Sequence, residues 1–140
     1  MAKPTFVAGD AFQIKSSNSD KLHLYIVLCD PSQGKLTVVA VPLNTLVVME
    51  TDTTVILKAG EHRFINRDTS VSYDKMDEVR TELLAELETR NENTPFHDKT
   101  FVRDVAVSPE LLQKVRDGAM KSDLAPKGVV RELKARLGMA

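Results

Sequence analysis

The sequence predicts an α+β fold in which a small antiparallel barrel or sandwich comes first and helices gather toward the C-terminus. Short apolar segments with turn residues about every 8–12 positions predict five or six strands. Helical periodicity dominates the second half of the chain. At 140 residues the chain fits one domain, since domains contain about 100–200 residues. We expect a β-barrel core at about 5–75, a helical insertion at about 77–92, and a strand with the C-terminal helices at about 99–138.

The first three strands are predicted from alternation and from β-branched residues. Residues 10–15 alternate apolar and polar side chains, which is typical of a half-buried strand. Residues 21–30 are nearly continuously apolar in their second half, which indicates a central strand covered on both faces. A turn at 30–34 joins this strand to a third at 35–43, so the two form a predicted hairpin. Because Pro42 has no N–H to donate, we expect the third strand to end, bulge or lie at an edge there.

The later strands are less regular. Residues 53–60 and 69–75 predict a fourth and a fifth strand, and 99–107 predicts a sixth from its alternation. The segment 44–52 fits a short helical turn as well as more strand, so its state stays open.

Three helices are predicted in the second half of the chain. Residues 77–90 carry an apolar stripe at helical spacing among acidic residues. Residues 108–123 begin with Ser108 as N-cap and Pro109 at the first helical position, which is a strong helix-start signal. Residues 125–138 repeat this pattern less cleanly.

Composition limits the functional classes. The formal net charge of -1 gives no overall attraction to nucleic acid or to an anionic membrane, so such binding would need a local basic patch. The single cysteine, Cys29, follows an apolar run, where inert packing is the usual fate, and it fits a reducing compartment. No apolar run approaches the ~20 residues that span a bilayer, and the N-terminus lacks a signal-peptide pattern. We expect a cytoplasmic protein without membrane contact.

Most sequence motifs of catalysis and cofactor binding are absent. The chain has no Gly-rich phosphate loop, CxxC, HExxH or GxSxG. Its three histidines have no metal-ligand spacing. We therefore expect neither a metal site nor another cofactor.

His23 is the first candidate for acid–base chemistry. In "KLHLY" it alternates with Leu22 and Leu24, so its side chain is expected to point away from the face that these leucines share. One interpretation is an exposed or half-buried strand histidine. The other is a proton donor or acceptor at the mouth of a barrel, because an unperturbed histidine titrates near pH ~6.5.

The segment "AGEHRFINRDTS" (59–70) is locally basic and rich in hydrogen-bonding groups. One interpretation is a solvated loop with Phe64 and Ile65 as anchors. The other is phosphate contact, since arginine binds phosphate through two hydrogen bonds and neutral side chains add others. In that case the RNA-binding residues would be His62, Arg63, Asn66 and Arg67.

Charges of opposite sign concentrate on two of the predicted helices. The helix at 77–90 is acidic and the segment 127–136 is basic. These charges fit simple solvation, pairing within the chain, or pairing across a dimer. The basic segment is also a second candidate for contact with a nucleic-acid backbone.

The order of segments resembles the MazF/PemK family of toxin–antitoxin ribonucleases. The resemblance rests on "GDAFQIK", "HLYIVLCD", "VVAVPLNT", "TTVIL", "TSVSYDKM" and the helical "VSPELLQKVRDG". It covers most of residues 9–120, with an added helical insertion and tail. It implies an SH3-like β-barrel that forms a homodimer, pairs with an antitoxin protein and cleaves single-stranded RNA without a metal.

The resemblance also implies positions for catalytic residues. The family's arginine at the start of the buried strand falls on His23, and its threonine after the Pro-apolar step falls on Asn44, with Thr45 next. The first functional hypothesis is therefore a metal-independent endoribonuclease that uses His23, Asn44 and Thr45. The alternative is a non-catalytic SH3-like barrel that binds a protein partner, such as an adaptor or a phage or plasmid accessory protein.

Overall fold

The computed structural model describes residues 6–15, 22–32, 34–45 and 52–139. In this part of the chain the protein has the predicted α+β fold, with a small antiparallel sheet and C-terminal helices. The strands are β1 (Ala11–Lys15), β2 (Leu22–Val27), β3 (Thr37–Thr45), β4 (Ile56–Leu57), β5 (Thr69–Val71), β6 (Asp77–Arg80) and β7 (Phe101–Asp104). The helices are α1 (Thr81–Arg90), α2 (Pro109–Lys121) and α3 (Lys127–Arg136), and short 3-10 turns lie at Tyr73–Lys75 and Phe96–Asp98.

The strands form one antiparallel sheet in the order β4-β5-β3-β2-β1-β7. The long strand β3 pairs with β2 and, on its other side, with β6 along its first half and β5 along its end. Among the described residues, no hydrogen-bonded pairing joins β4 to β7, so the sheet curves without closing. This architecture is compatible with the expected small barrel.

Pro42 lies inside β3 and not at its end. Its carbonyl accepts a hydrogen bond from the Ser72 N–H (N···O 2.9 Å), so Pro42 faces the gap between β5 and β6. The chain leaves the sheet at this gap to form the 3-10 turn Tyr73–Lys75. The missing N–H of proline therefore falls where the neighbouring strand is interrupted.

The predicted helix at 77–90 was wrong over its first four residues. Asp77–Arg80 form β6, which pairs with Thr37–Ala40 of β3, and α1 begins at Thr81. Val79 lies opposite Val38 in this pairing, so a side chain that fitted the helical stripe belongs to the sheet. These residues form a strand although their pattern is helical, because pairing with β3 satisfies backbone groups along β3 that would otherwise stay unpaired.

Several predicted strands are shorter in the structure. The strand expected at 53–60 is only Ile56–Leu57, and that expected at 99–107 is Phe101–Asp104. The strand expected at 69–75 ends at Val71, before the 3-10 turn. Of the open segment 44–52, residues 44–45 continue β3, residues 46–51 lie outside the described residues, and Asp52 follows them.

Two hydrophobic cores cover the two faces of the sheet. The first core joins strands β1–β5 to α2 and α3, and includes Leu24, Ile26, Val41, Val115 and Leu133. The second core lies on the opposite face under α1, and includes Phe6, Phe12, Val27, Leu84 and Phe101. Successive residues of β2 contribute to different cores, which confirms the prediction of a central strand covered on both faces.

The C-terminal helices are fixed to the sheet by specific contacts. The Ser108 hydroxyl accepts a hydrogen bond from the Leu111 N–H (3.1 Å), which confirms the predicted N-cap of α2. The Arg136 side chain at the end of α3 is only 6% exposed and donates to the Thr37 carbonyl and hydroxyl oxygens, both at 2.7 Å. None of the described helices is long and apolar enough to cross a membrane.

Candidate functional site

His23 lies in β2 and is the first of the predicted catalytic residues. It pairs with Ile14 of β1, and its neighbour Leu24 belongs to the first core, so His23 points to the opposite face as predicted. The residue is half-buried, and its imidazole makes no hydrogen bond to another described residue. An imidazole of this kind can donate or accept a proton without first breaking an internal contact.

Asn44 lies in β3, the strand that pairs with the strand of His23. Tyr25 pairs with Pro42, and carrying this register two residues further brings His23 level with Asn44. Val38 and Ala40 belong to the second core, so alternation along β3 places Asn44 on the same face as His23. These two predicted catalytic residues therefore share one face of the sheet on neighbouring strands.

Two serines complete this polar area. The Asn44 side-chain amide donates to the Ser72 hydroxyl (2.6 Å), and the Ser70 hydroxyl donates to the Asn44 backbone carbonyl (3.3 Å). These hydrogen bonds hold the Asn44 amide in place while leaving its carbonyl oxygen and one N–H for a ligand. The third predicted catalytic residue, Thr45, pairs through its backbone with Thr69, and its side chain lies outside the described part of the structure.

Tyr25 lies beside His23 on the same face, and sequence reasoning did not single it out. Its ring stacks on Phe12 with the centroids 5.3 Å apart and the planes at 4°. Burial raises the pKa of its phenol, which therefore stays protonated as a hydrogen-bond donor. The sequence could have indicated Tyr25, because it lies two residues after His23 in the predicted strand and such residues share a face. We refer to His23, Tyr25, Asn44, Ser70 and Ser72 as the His23 face.

His62 has a structural role in the 59–70 loop. Its Nε2–H donates to the Val105 carbonyl (2.8 Å), and its Nδ1 accepts from the Phe64 N–H (3.1 Å). The residue is 7% exposed, and Ile65 beside it is buried in the first core. These contacts hold the loop against the end of β7. Both ring nitrogens are occupied, so the predicted contact of His62 with RNA would require this arrangement to open.

Arg63 is also engaged by the protein. Its Nε donates to Asp104 (2.7 Å), and the Gln13 amide donates to the other oxygen of the same carboxylate (2.6 Å). Burial raises the pKa of Asp104, but hydrogen bonds from the Val105 N–H, Arg63 and Gln13 outweigh it and lower the pKa. The Arg63 side chain is still 67% exposed, so its remaining N–H groups face solvent.

The structure places the Arg63–Asp104 pair and His23 on opposite faces of the sheet. Asp104 pairs with Ala11, whose side chain belongs to the first core, so the Arg63–Asp104 pair lies on that face at the β7 edge. His23 and Asn44 lie on the face of the second core. The remaining predicted RNA-binding residues, Asn66 and Arg67, are exposed on the same loop as Arg63. The predicted residues thus form two groups and not one surface.

No cluster of three or more His, Cys, Asp or Glu side chains within the described ranges is arranged to hold a metal ion. A comparison of the chain with models of known protein families gives no match, and a comparison with curated proteins gives none. The resemblance to the MazF/PemK family therefore rests only on the segments quoted above.

Proposed function

We propose that the protein is a MazF/PemK-like endoribonuclease that cleaves single-stranded RNA without a metal, with the His23 face as its active site. The observation that carries this proposal is the imidazole of His23, which makes no hydrogen bond to another described residue and lies on the same sheet face as the Asn44 amide held by Ser72. His23 and Asn44 both belong to segments that carry the family resemblance. The protein would act in the cytoplasm as a homodimer.

RNA supplies its own nucleophile in this chemistry. The His23 imidazole takes the proton of a ribose 2′-OH, whose oxygen then attacks the adjacent phosphorus. The bond from phosphorus to the 5′-oxygen breaks, and the imidazolium returns the proton to that leaving oxygen. The products are a 2′,3′-cyclic phosphate and a 5′-hydroxyl end. The second amide N–H of Asn44 and the hydroxyl of Ser72 donate hydrogen bonds to the non-bridging phosphate oxygens, where negative charge develops.

The separation of the loop constrains the path of the RNA. Arg63 lies on the face opposite His23, so it cannot hold the phosphate that the 2′-oxygen attacks beside His23, and Arg67 is exposed on the same loop as Arg63. In this proposal the two arginines contact the RNA only where the RNA chain passes round the β7 edge. Alternatively, the arginines of a partner subunit contact it. Their contribution is to affinity and not to the chemical step.

Cleavage of a mixed-sequence RNA in EDTA tests this function. We expect the wild-type protein to cleave the RNA and to leave a DNA of the same sequence intact, because DNA has no 2′-OH. Replacing His23→Ala removes the acid–base group and should slow cleavage about 10²- to 10⁴-fold. The variant His97→Ala is the matched control, since the His97 side chain is 81% exposed and lies outside the His23 face. Intact RNA, or equal rates for wild type and His23→Ala, would remove the assignment.

A non-catalytic barrel that binds a protein partner is the second candidate. It is favoured by the Arg63–Asp104 ion pair, which occupies an arginine expected to hold phosphate, and by the net charge of -1. The two functions differ in the salt dependence of RNA affinity. Phosphate contacts release counterions and give a steep loss of affinity as salt rises, whereas a shallow dependence favours the second candidate.

A further inference from the structure

The groove between α2 and α3 is a surface that the proposed nuclease activity does not use. Its volume is about 410 Å³. Met120 of α2, Val130 of α3 and Ala125 between the helices form an apolar wall. Leu124 precedes Ala125 in the chain and is 53% exposed. Helix α3 follows the segments that resemble the MazF/PemK family, so the side of the groove that α3 forms is not part of that resemblance.

Three cations line the same groove from one face of α3. Lys127, Arg131 and Lys134 lie at spacings of four and three residues, which places them on one side of the helix. None of the three makes an ion pair with a described residue. By contrast, Arg136 on another side of α3 pairs with Glu132 and Glu78. The groove thus combines an apolar wall with three cations that form no ion pair within the part of the chain that the structure describes.

This combination discriminates between anionic ligands. Single-stranded RNA is held by cations together with aromatic rings on which bases stack, and no aromatic side chain lines the groove. Asp123 also lines the groove, and its carboxylate would repel any anion placed beside it, so it does not distinguish a phosphate from a peptide carboxylate. An acidic peptide with apolar side chains matches both the apolar wall and the three cations of the groove. Its leucines can enter the groove while its carboxylates pair with the cations. We infer that the α2–α3 groove binds an acidic amphipathic segment of a different protein.

A second copy of this chain fits the groove less well. Helix α1 exposes Glu82, Leu83 and Glu86, but it covers the opposite face of the sheet from α2 and α3. Contact between α1 of one copy and the groove of another would join different surfaces head to tail, and such contacts continue to further copies unless they close a ring. We therefore assign the groove to a partner that is not this chain.

Fluorescence anisotropy with a labelled peptide tests the inference. The probe is a helical peptide with leucine at every third or fourth position and glutamate at the positions between. We expect it to bind the full-length protein, and Lys127→Gln/Arg131→Gln to weaken binding about five- to tenfold, the loss of two solvent-exposed ion pairs. The matched control is Lys75→Gln/Arg90→Gln, which removes one exposed lysine and one exposed arginine outside the groove and should leave affinity unchanged. A peptide with serine in place of leucine should bind more weakly.

Other outcomes would overturn the inference. The inference fails if the acidic peptide does not bind the protein. It also fails if the two double variants lose peptide affinity to the same extent. Tight binding of an oligo-uridine that is lost in Lys127→Gln/Arg131→Gln would assign the groove to RNA. Concentration-dependent growth of particle size that is lost in the same variant would assign it to self-association. His23→Ala should leave peptide affinity unchanged, so the groove and the proposed nuclease can fail separately.

Discussion

At the scale of single residues, two histidines of this chain have opposite environments. His62 is buried and uses both ring nitrogens in hydrogen bonds, so its imidazole is fixed as the Nε2–H tautomer. His23 is half-buried on the face of the second core and makes no hydrogen bond to another described residue. Local sequence predicts the face of His23, because alternation within a strand is a local property. Local sequence does not predict the hydrogen bond that fixes the His62 ring, because its acceptor is the carbonyl of Val105, 43 residues further along the chain.

Replacing His62→Ala should destabilise the protein by about 1–3 kcal/mol, because the Phe64 N–H and the Val105 carbonyl lose their partners. Urea denaturation of wild type and variant measures the difference. The same replacement at the exposed His97 should cost less than about 0.5 kcal/mol. Equal costs at the two positions would contradict the structural role of His62.

Asp104 should contribute to stability only when it is ionised. Its folded-state pKa is lowered, so the unfolded state binds this proton more readily. The stabilisation is therefore present above the unfolded value near pH ~3.9 and is lost as pH falls through the folded-state pKa. We expect Asp104→Asn to flatten the acid limb of the unfolding free energy plotted against pH. The control is Asp98→Asn, at an exposed carboxylate, and an unchanged limb for Asp104→Asn would contradict this view.

At the scale of elements, the strands and helices are explained by pairing and close packing as much as by local pattern. The Ser108–Pro109 start of α2 was readable because capping involves only neighbouring residues. The strand β6 could not be predicted from its own sequence, because it forms by pairing with the edge of β3, which is distant in the chain. Helix α2 packs closely against the turn after β5, where the Tyr73 hydroxyl donates to the Val115 carbonyl (2.7 Å).

Gly118 and Gly128 provide a matched test of this packing. A Cβ on Gly118 would overlap the Tyr73 hydroxyl and the Val55 side chain, whereas a Cβ on Gly128 would meet nothing within 4 Å. We expect Gly118→Ala to destabilise by about 1–3 kcal/mol and Gly128→Ala to be neutral or to stabilise by up to about 1 kcal/mol. Thermal or urea denaturation measures both. Stabilisation by Gly118→Ala would show that α2 does not contact Tyr73 so closely.

At the scale of the whole molecule, one sheet separates two sets of functional candidates. The fold class was predictable, because strand and helix periodicities are written in each segment. The division of candidate residues between two faces was not predictable from the sequence. It depends on the contacts of His62 and Arg63 with residues at the end of β7. The same division leaves the His23 face, the loop and the α2–α3 groove as three separate surfaces.

The location of bound RNA tests the central proposal most directly. Backbone amide signals of the ¹⁵N-labelled protein can be followed by NMR while a short single-stranded RNA is added. We predict that the largest shifts fall on residues of the His23 face, at the ends of β2, β3 and β5. Shifts confined to residues 59–68 or to α3, or no shifts at all, would contradict the proposal that RNA is bound and cleaved at His23.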